Sequence, residues 1–289
     1  MSENNLARAA MLVNLSVSQW TARKYDRRVS QEVADKYQAP SDIGRYNKSL
    51  IAREAIKKIE RIVNAARSAH YELTLPWSDD GWRLLTVKAY PKYDQGIQEF
   101  ERQFNDEVAL FITNYPALKF EAQTLANGLY RESDYPAAAS IASKFGFKVV
   151  YSPMVQADDF RLEVRGADGI RRDIKARGVQ AQEGAMSDLW GRLYGAVNKM
   201  VERLSDPSNI FRDSLVENLT DLCDLLPALN FKNDSDLAAL GESVRAKLTV
   251  TDPETLRTDS KKRSQVAVEA AKLLSQISGA GGRYIDLSD

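Results

Sequence analysis

Two pairs of adjacent carboxylates, Asp79-Asp80 and Asp158-Asp159, lie beside stretches that alternate as strands do, and Glu163 and Arg165 follow the second pair. Carboxylates projecting from neighbouring strands can gather the oxygen ligands of Mg²⁺ for phosphodiester hydrolysis. The spacing argues against that chemistry. Asp159 is too near Glu163 for the acidic strand motif of metal-dependent nucleases, and Arg165 stands where that motif needs a lysine. Asp79 and Asp80, between Ser78 and Gly81, are the residue types of a tight reversal. His70 is the sole histidine and Cys223 the sole cysteine, which excludes a histidine metal cluster and an intramolecular disulfide. Cys223 sits among leucines and reads as a small buried hydrophobe rather than a nucleophile. No glycine-rich loop follows a strand in a nucleotide-binding pattern. The expectation is a chain that is not an enzyme, with no catalytic residues, no metal and no cofactor.

Binding chemistry is better represented. The first 71 residues carry thirteen Lys or Arg against seven Asp or Glu, although the whole chain holds forty of each sign. Bulk charge therefore names no partner, and any attraction must be local. Within that basic third, Trp20, Arg23, Lys24, Tyr25, Arg27 and Arg28 interleave rings with cations. Such a run can track phosphates while its rings stack on bases, so nucleic-acid binding is one expectation. The plainer reading is a solvated basic surface, or one paired with acidic helices of the same chain.

These residues must be positioned by helices. From Ala176 to Leu204, Met186, Leu189, Leu193, Val197, Met200 and Leu204 recur every three or four residues and fall on one stripe. A second seam of the same period runs through Ile97, Phe100, Phe104, Val108, Phe111 and Tyr115, and the two are expected to pack along their length. Gly191 and Gly195 would let another helix approach; Trp190 beside them reads first as core and second as an anchor exposed for a partner, and these three residues are the candidate interface. After a break near Pro207, Phe211, Leu215, Leu219, Leu222 and Leu226 form a stripe on a neighbouring helix. Two more helices are expected, from about Asp236 to Leu248 and from Pro253 to Ile277.

Shorter elements fill the first half. Residues 12–17 alternate as a strand, residues 70–77 and 82–87 flank a reversal, and residues 147–151 and 160–164 read as two further strands. Helices are expected near 27–37, 48–69, 94–115 and 117–129, with Asp134 capping another that has Pro136 in its first turn. The fold class is therefore α+β, helix-dominant, with long amphipathic helices and a small, largely antiparallel sheet. Residues 1–165 read as a mixed α+β region and 166–289 as a helical region of the same globule. No apolar run is long enough for a membrane span, and the expected location is cytoplasmic.

Four blocks carry a resemblance: residues 15–24 (Leu-Ser-Val-Ser-Gln-Trp-Thr-Ala-Arg-Lys), 70–77 (His-Tyr-Glu-Leu-Thr-Leu-Pro-Trp), 159–162 (Asp-Phe-Arg-Leu) and 211–219 (Phe-Arg-Asp-Ser-Leu-Val-Glu-Asn-Leu). They resemble a group of uncharacterised phage-encoded proteins, similar in type to neighbours of MoxR-like AAA ATPases. The resemblance implies a phage protein in the cytoplasm of its host and an AAA ATPase as a partner, and it transfers no site residues. The expected function is that of a non-enzymatic phage protein acting by oligomerisation or protein binding through its long helices. The alternative is a nucleic-acid-binding protein that uses the basic N-terminal third.

Overall fold

The computed structural model describes residues 3–155 and 168–285. The fold is α+β with helices dominant. It divides into two compact units that interleave along the chain. The first comprises Met1–Asn14, Tyr71–Asp94 and Val150–Asp289, and the second Leu15–His70 and Gln95–Val149. The expected break between residues 165 and 166 lies outside the described residues, as do the expected strand at 160–164, the pair Asp158-Asp159, and Glu163 and Arg165.

In chain order, helix α1 (Glu3–Ala9) leads into strand β1 (Ala10–Ser18), followed by β2 (Arg23–Tyr25), α2 (Arg27–Lys36) and β3 (Asn47–Ser49). Helix α3 (Glu54–Leu73) ends at β4 (Leu75–Pro76), and β5 (Arg83–Thr86) precedes the long α4 (Tyr90–Ala126). Short α5 (Ala138–Ala142) and β6 (Gly146–Ser152) follow. The remainder is helical: α6 (Asp168–Leu204), α7 (Ser214–Leu229), α8 (Ser235–Leu248), α9 (Pro253–Thr258) and α10 (Ser260–Gly281).

The expected hairpin forms, with β4 antiparallel to β5 at Leu75↔Leu84 and β5 antiparallel to β1 from Ala10↔Thr86 to Val13↔Arg83. The sheet runs β4-β5-β1-β6. Val13, Leu75, Leu84 and Leu85 are wholly buried, and because adjacent Leu84 and Leu85 point to opposite faces, both faces of β5 are covered. Residues 70–73, expected in the hairpin, belong instead to the last turn of α3.

In the first unit all six stripe residues of α6 are buried, and they meet α7, α8 and α10. Trp190 is core as well, 1% exposed, with its indole N–H donated to Asp234 Oδ2 at 3.3 Å. Asp234 in turn caps α8 by accepting from the amides of Asp236 and Leu237. The C-terminal end of α6 is closed by Arg263 of α10. Its guanidinium is buried and donates to the carbonyl oxygens of Arg203, Leu204, Asp206 and Asn209. Arg203 and Leu204 offer the orphan acceptors of the helix end, Asp206 and Asn209 belong to the loop that follows, and the fork geometry of arginine reaches both at once.

In the second unit the α4 seam packs on α3. Phe104, Phe111 and Tyr115 share one buried cluster with Ile56, Ile59, Val63 and Trp20. The break expected between Tyr115 and Ala117 does not occur, and α4 continues through Pro116. Proline costs a helix one hydrogen bond. Phe111, Tyr115 and Ala122 on either side of it are all anchored in that cluster, which holds the axis continuous.

Candidate functional site

Three groups of residues in this fold suit binding, and they sort the expected site residues differently. The first is the ribbon formed by β2 and β3. Its register pairs Arg23↔Ser49, Lys24↔Lys48 and Tyr25↔Asn47. Because side chains alternate across a strand, Arg23, Tyr25, Asn47 and Ser49 share one face and Lys24 and Lys48 the other. The first four are exposed, and Arg45 stacks over the Tyr25 ring at 5.9 Å.

The opposite face carries a buried ion cluster. Lys48 Nζ lies 2.5 Å from Asp134 Oδ2 and 3.0 Å from Asp26 Oδ2, and donates to the carbonyl oxygen of Leu129 at 2.8 Å. Lys24 Nζ completes it from the rim, 2.8 Å from Asp134 Oδ1. The Lys48 hydrogen bond, aided by the Val29 amide, holds the Asp26 carboxyl below its usual range. For Asp134 burial works against the charge, but Lys24 and Lys48 outweigh it and its pKa is also lowered. Burial likewise opposes the Lys48 ammonium, and the two aspartates overcome it and raise its pKa.

Asp134 is thus not the helix cap expected from the sequence; it is the acceptor of this cluster, and Ala137 occupies the N-cap of α5 without a side-chain bond. Residues 48–53, expected as the first turns of α3, are drawn out of the helix because Lys48 belongs to β3. Trp20 is corrected too. Its ring is 5% exposed and packs at 6.1 Å from Phe111 and 5.8 Å edge-on to Tyr115, so it is not free to stack on a base. Lys24 is committed to Asp134. Of the expected nucleic-acid residues, Arg23, Tyr25, Arg27 and Arg28 remain on the surface, with Arg28 at 3.7 Å from Glu32.

The second group surrounds the glycines of α6. A Cβ at Gly191 or Gly195 would meet nothing within 4 Å, so no element of the first unit approaches there, contrary to the close packing expected. Both glycines and Ala196 instead line an open groove of about 610 Å³ whose far wall is α7. Helix α7 serves two environments. Val216, Leu219, Cys223 and Leu226 are buried, whereas Leu215, Asn218, Leu222 and Leu225, one position away, turn toward the groove. The stripe read from the sequence merged these two sets. Trp190, beside the glycines, belongs to the core and not to this surface.

The third is a polar cleft of about 450 Å³ at the edge of the ribbon, reached by Arg23, Asn47 and Ser49 and by Arg53 just before α3. Neither the sequence pattern nor the cation count singled out Arg53.

Among the described residues no set of three or more His, Cys, Asp or Glu side chains could hold a metal ion. Cys223 is buried and its thiol is pushed up to about 11 by desolvation, unlike an activated nucleophile. His70 is 4% exposed. Asp80 accepts from the Ser78 hydroxyl within the β4–β5 turn, the structural role expected of it. No described helix is long and apolar enough to cross a membrane. No family model matches the chain, and no curated protein or solved structure matches it either.

Proposed function

We propose that this chain is a non-catalytic binding protein that receives an amphipathic helix of a partner protein in the groove between α6 and α7. The observation that carries the reading is the absence of side chains at Gly191 and Gly195 opposite half-buried Leu215, Leu222 and Leu225. A helix-in-groove contact needs such an apolar trough, with anchors spaced every three or four residues. The groove's lining carries both signs, Glu72 and Asp221 against Arg192 and Lys199, with Arg192 already engaged by Asp188, so the fitting helix is recognised by its apolar face rather than by net charge.

A second copy of this chain is the weaker candidate. Its basic helix α3, with Lys57, Lys58, Arg61 and Arg67, already buries Ile56, Ile59, Val63 and Ala66 in its own core. The AAA ATPase implied by the resemblance is one source of the helix, and a phage-encoded binding protein is the reading that accommodates it.

The test is fluorescence anisotropy with two designed helical peptides of identical net charge, one with leucine anchors every three or four residues and one with those anchors replaced by serine. The leucine-anchored peptide binds, and Gly195→Trp and Leu222→Glu each abolish binding without unfolding the chain. Equal binding of both peptides, or binding that survives both substitutions, would sink the reading. Light scattering on the eluting protein adds a separate arm, because a stable dimer dissociated by Gly195→Trp would hand the groove to a second copy.

A further inference from the structure

We infer that the polar cleft beside the β2–β3 ribbon binds a small phosphomonoester with a hydroxylated body, of sugar-phosphate or nucleoside-monophosphate size. The proposal is independent of the α6–α7 groove and shares no residue with it.

Two arginines line this cleft, Arg23 and Arg53, and both are exposed, so their guanidinium groups are available to a ligand. Neither has an intramolecular ion pair or hydrogen bond among the described residues. That sets them apart from Arg102, Arg192, Arg257 and Arg263, each of which is engaged by carboxylates or carbonyl oxygens. The planar fork of arginine matches phosphate oxygens two at a time, and two forks at one concavity form a clamp. Asn47 and Ser49, on the same ribbon face as Arg23, add neutral donors.

The rest of the lining defines the ligand's other end. Trp20, Ile51 and Ile56 give the cleft an apolar floor, and Glu60 faces the same space one helical turn beyond Ile56. A carboxylate there accepts from hydroxyl or amino groups and repels a second phosphate. A polyanionic strand would need a continuous basic track. Lys24 and Lys48 are neutralised by Asp26 and Asp134, and Arg28 lies beside Glu32, so the track is interrupted. One phosphate on a compact polar body suits the cleft better than a polymer.

The experiment is isothermal titration calorimetry of the full chain with ribose 5-phosphate and adenosine 5′-monophosphate. Ribose and adenosine serve as phosphate-free controls, and an oligothymidylate is the polymer arm. The phosphate compounds bind and their phosphate-free counterparts do not. Arg53→Ala and Arg23→Ala each weaken binding about tenfold or more, the loss of a charge-assisted hydrogen bond, with circular dichroism and melting unchanged. Glu60→Gln weakens ribose 5-phosphate but leaves inorganic phosphate unaffected. Failure of both phosphate compounds to bind would overturn the proposal. So would ribose binding as well as its phosphate, affinity unchanged in both arginine variants, or an oligothymidylate that binds more tightly than the monophosphate.

Discussion

Lys48 Nζ sits 2.5 Å from Asp134 Oδ2 with both side chains more than nine-tenths buried. Burying charges costs several kcal/mol, and attraction offsets that cost only while every member is present. Lys48→Met therefore leaves Asp26 without its cation and Asp134 with only the half-exposed Lys24, and lowers unfolding free energy by about 3–5 kcal/mol in urea titrations. Lys24, whose side chain is 47% exposed, marks the contrast. Lys24→Ala costs under about 1 kcal/mol, because a half-solvated pair gains little. Equal losses in the two variants would show that the cluster is not the buried lock its geometry describes.

The same cluster sets an acid limit. Asp26 and Asp134 have folded pKa values below their ordinary ones, so the unfolded chain takes up protons first as pH falls. Their contribution is complete above the ordinary carboxylate value of about 4 and is lost as pH drops through the lower folded values. Lys48 is shifted upward, so its contribution holds below about 10.4 and disappears as pH rises past the folded value. Urea midpoints collected from neutral pH to about pH 2 should fall steeply in the parent protein, and with a shallower slope in Lys48→Met. Parallel slopes would assign the acid limb to other carboxylates.

Arg263 ties α10 to the end of α6 through four carbonyl oxygens and lies 5.5 Å from the Phe211 ring. Arg263→Met strands those acceptors and should cost at least about 3 kcal/mol. Arg263→Lys keeps the charge but not the fork, and should recover less than roughly half of the loss. Full recovery by lysine would mean that charge alone closes this helix end.

Glycines of the same unit should respond with opposite signs. A Cβ at Gly281 would lie 2.7 Å from Cε3 of the buried Trp190 ring, so Gly281→Ala overpacks and costs about 1–3 kcal/mol. At Gly191 and Gly195 a Cβ meets nothing, and alanine there raises stability by up to about 1 kcal/mol each. Thermal melts of the three single variants decide it, and a destabilised Gly195→Ala would reveal an unseen neighbour in the groove.

The seams of α6 and α4 were legible from sequence because each buries one face along its length, and periodicity records burial. Which seam meets which was not, since a three-four spacing carries no address. Lys48 shows the other limit. Its position in the sequence reads as the start of a basic helix, and only Asp26 and Asp134, the latter more than eighty residues away, pull it into a strand. Trp20 and Arg53 traded roles for a similar reason. A tryptophan among cations looks like a stacking platform until Phe111 and Tyr115 are folded over it, and an arginine ahead of a helix attracts no notice until the ribbon brings Arg23 beside it. Helix α7 kept its leucines in view but hid their division between core and groove, which one residue of rotation decides.

The interleaving of the two units has a consequence for synthesis. Every segment of the second unit has left the ribosome's active centre by residue 149, whereas the first unit waits for residues 150–289 to supply α6 through α10. During translation the second unit can close around its own core while residues 71–94 hang from it as a loop. Strand β5, with which β1 pairs, is also made before residue 149, so what the first unit waits for is its helical part.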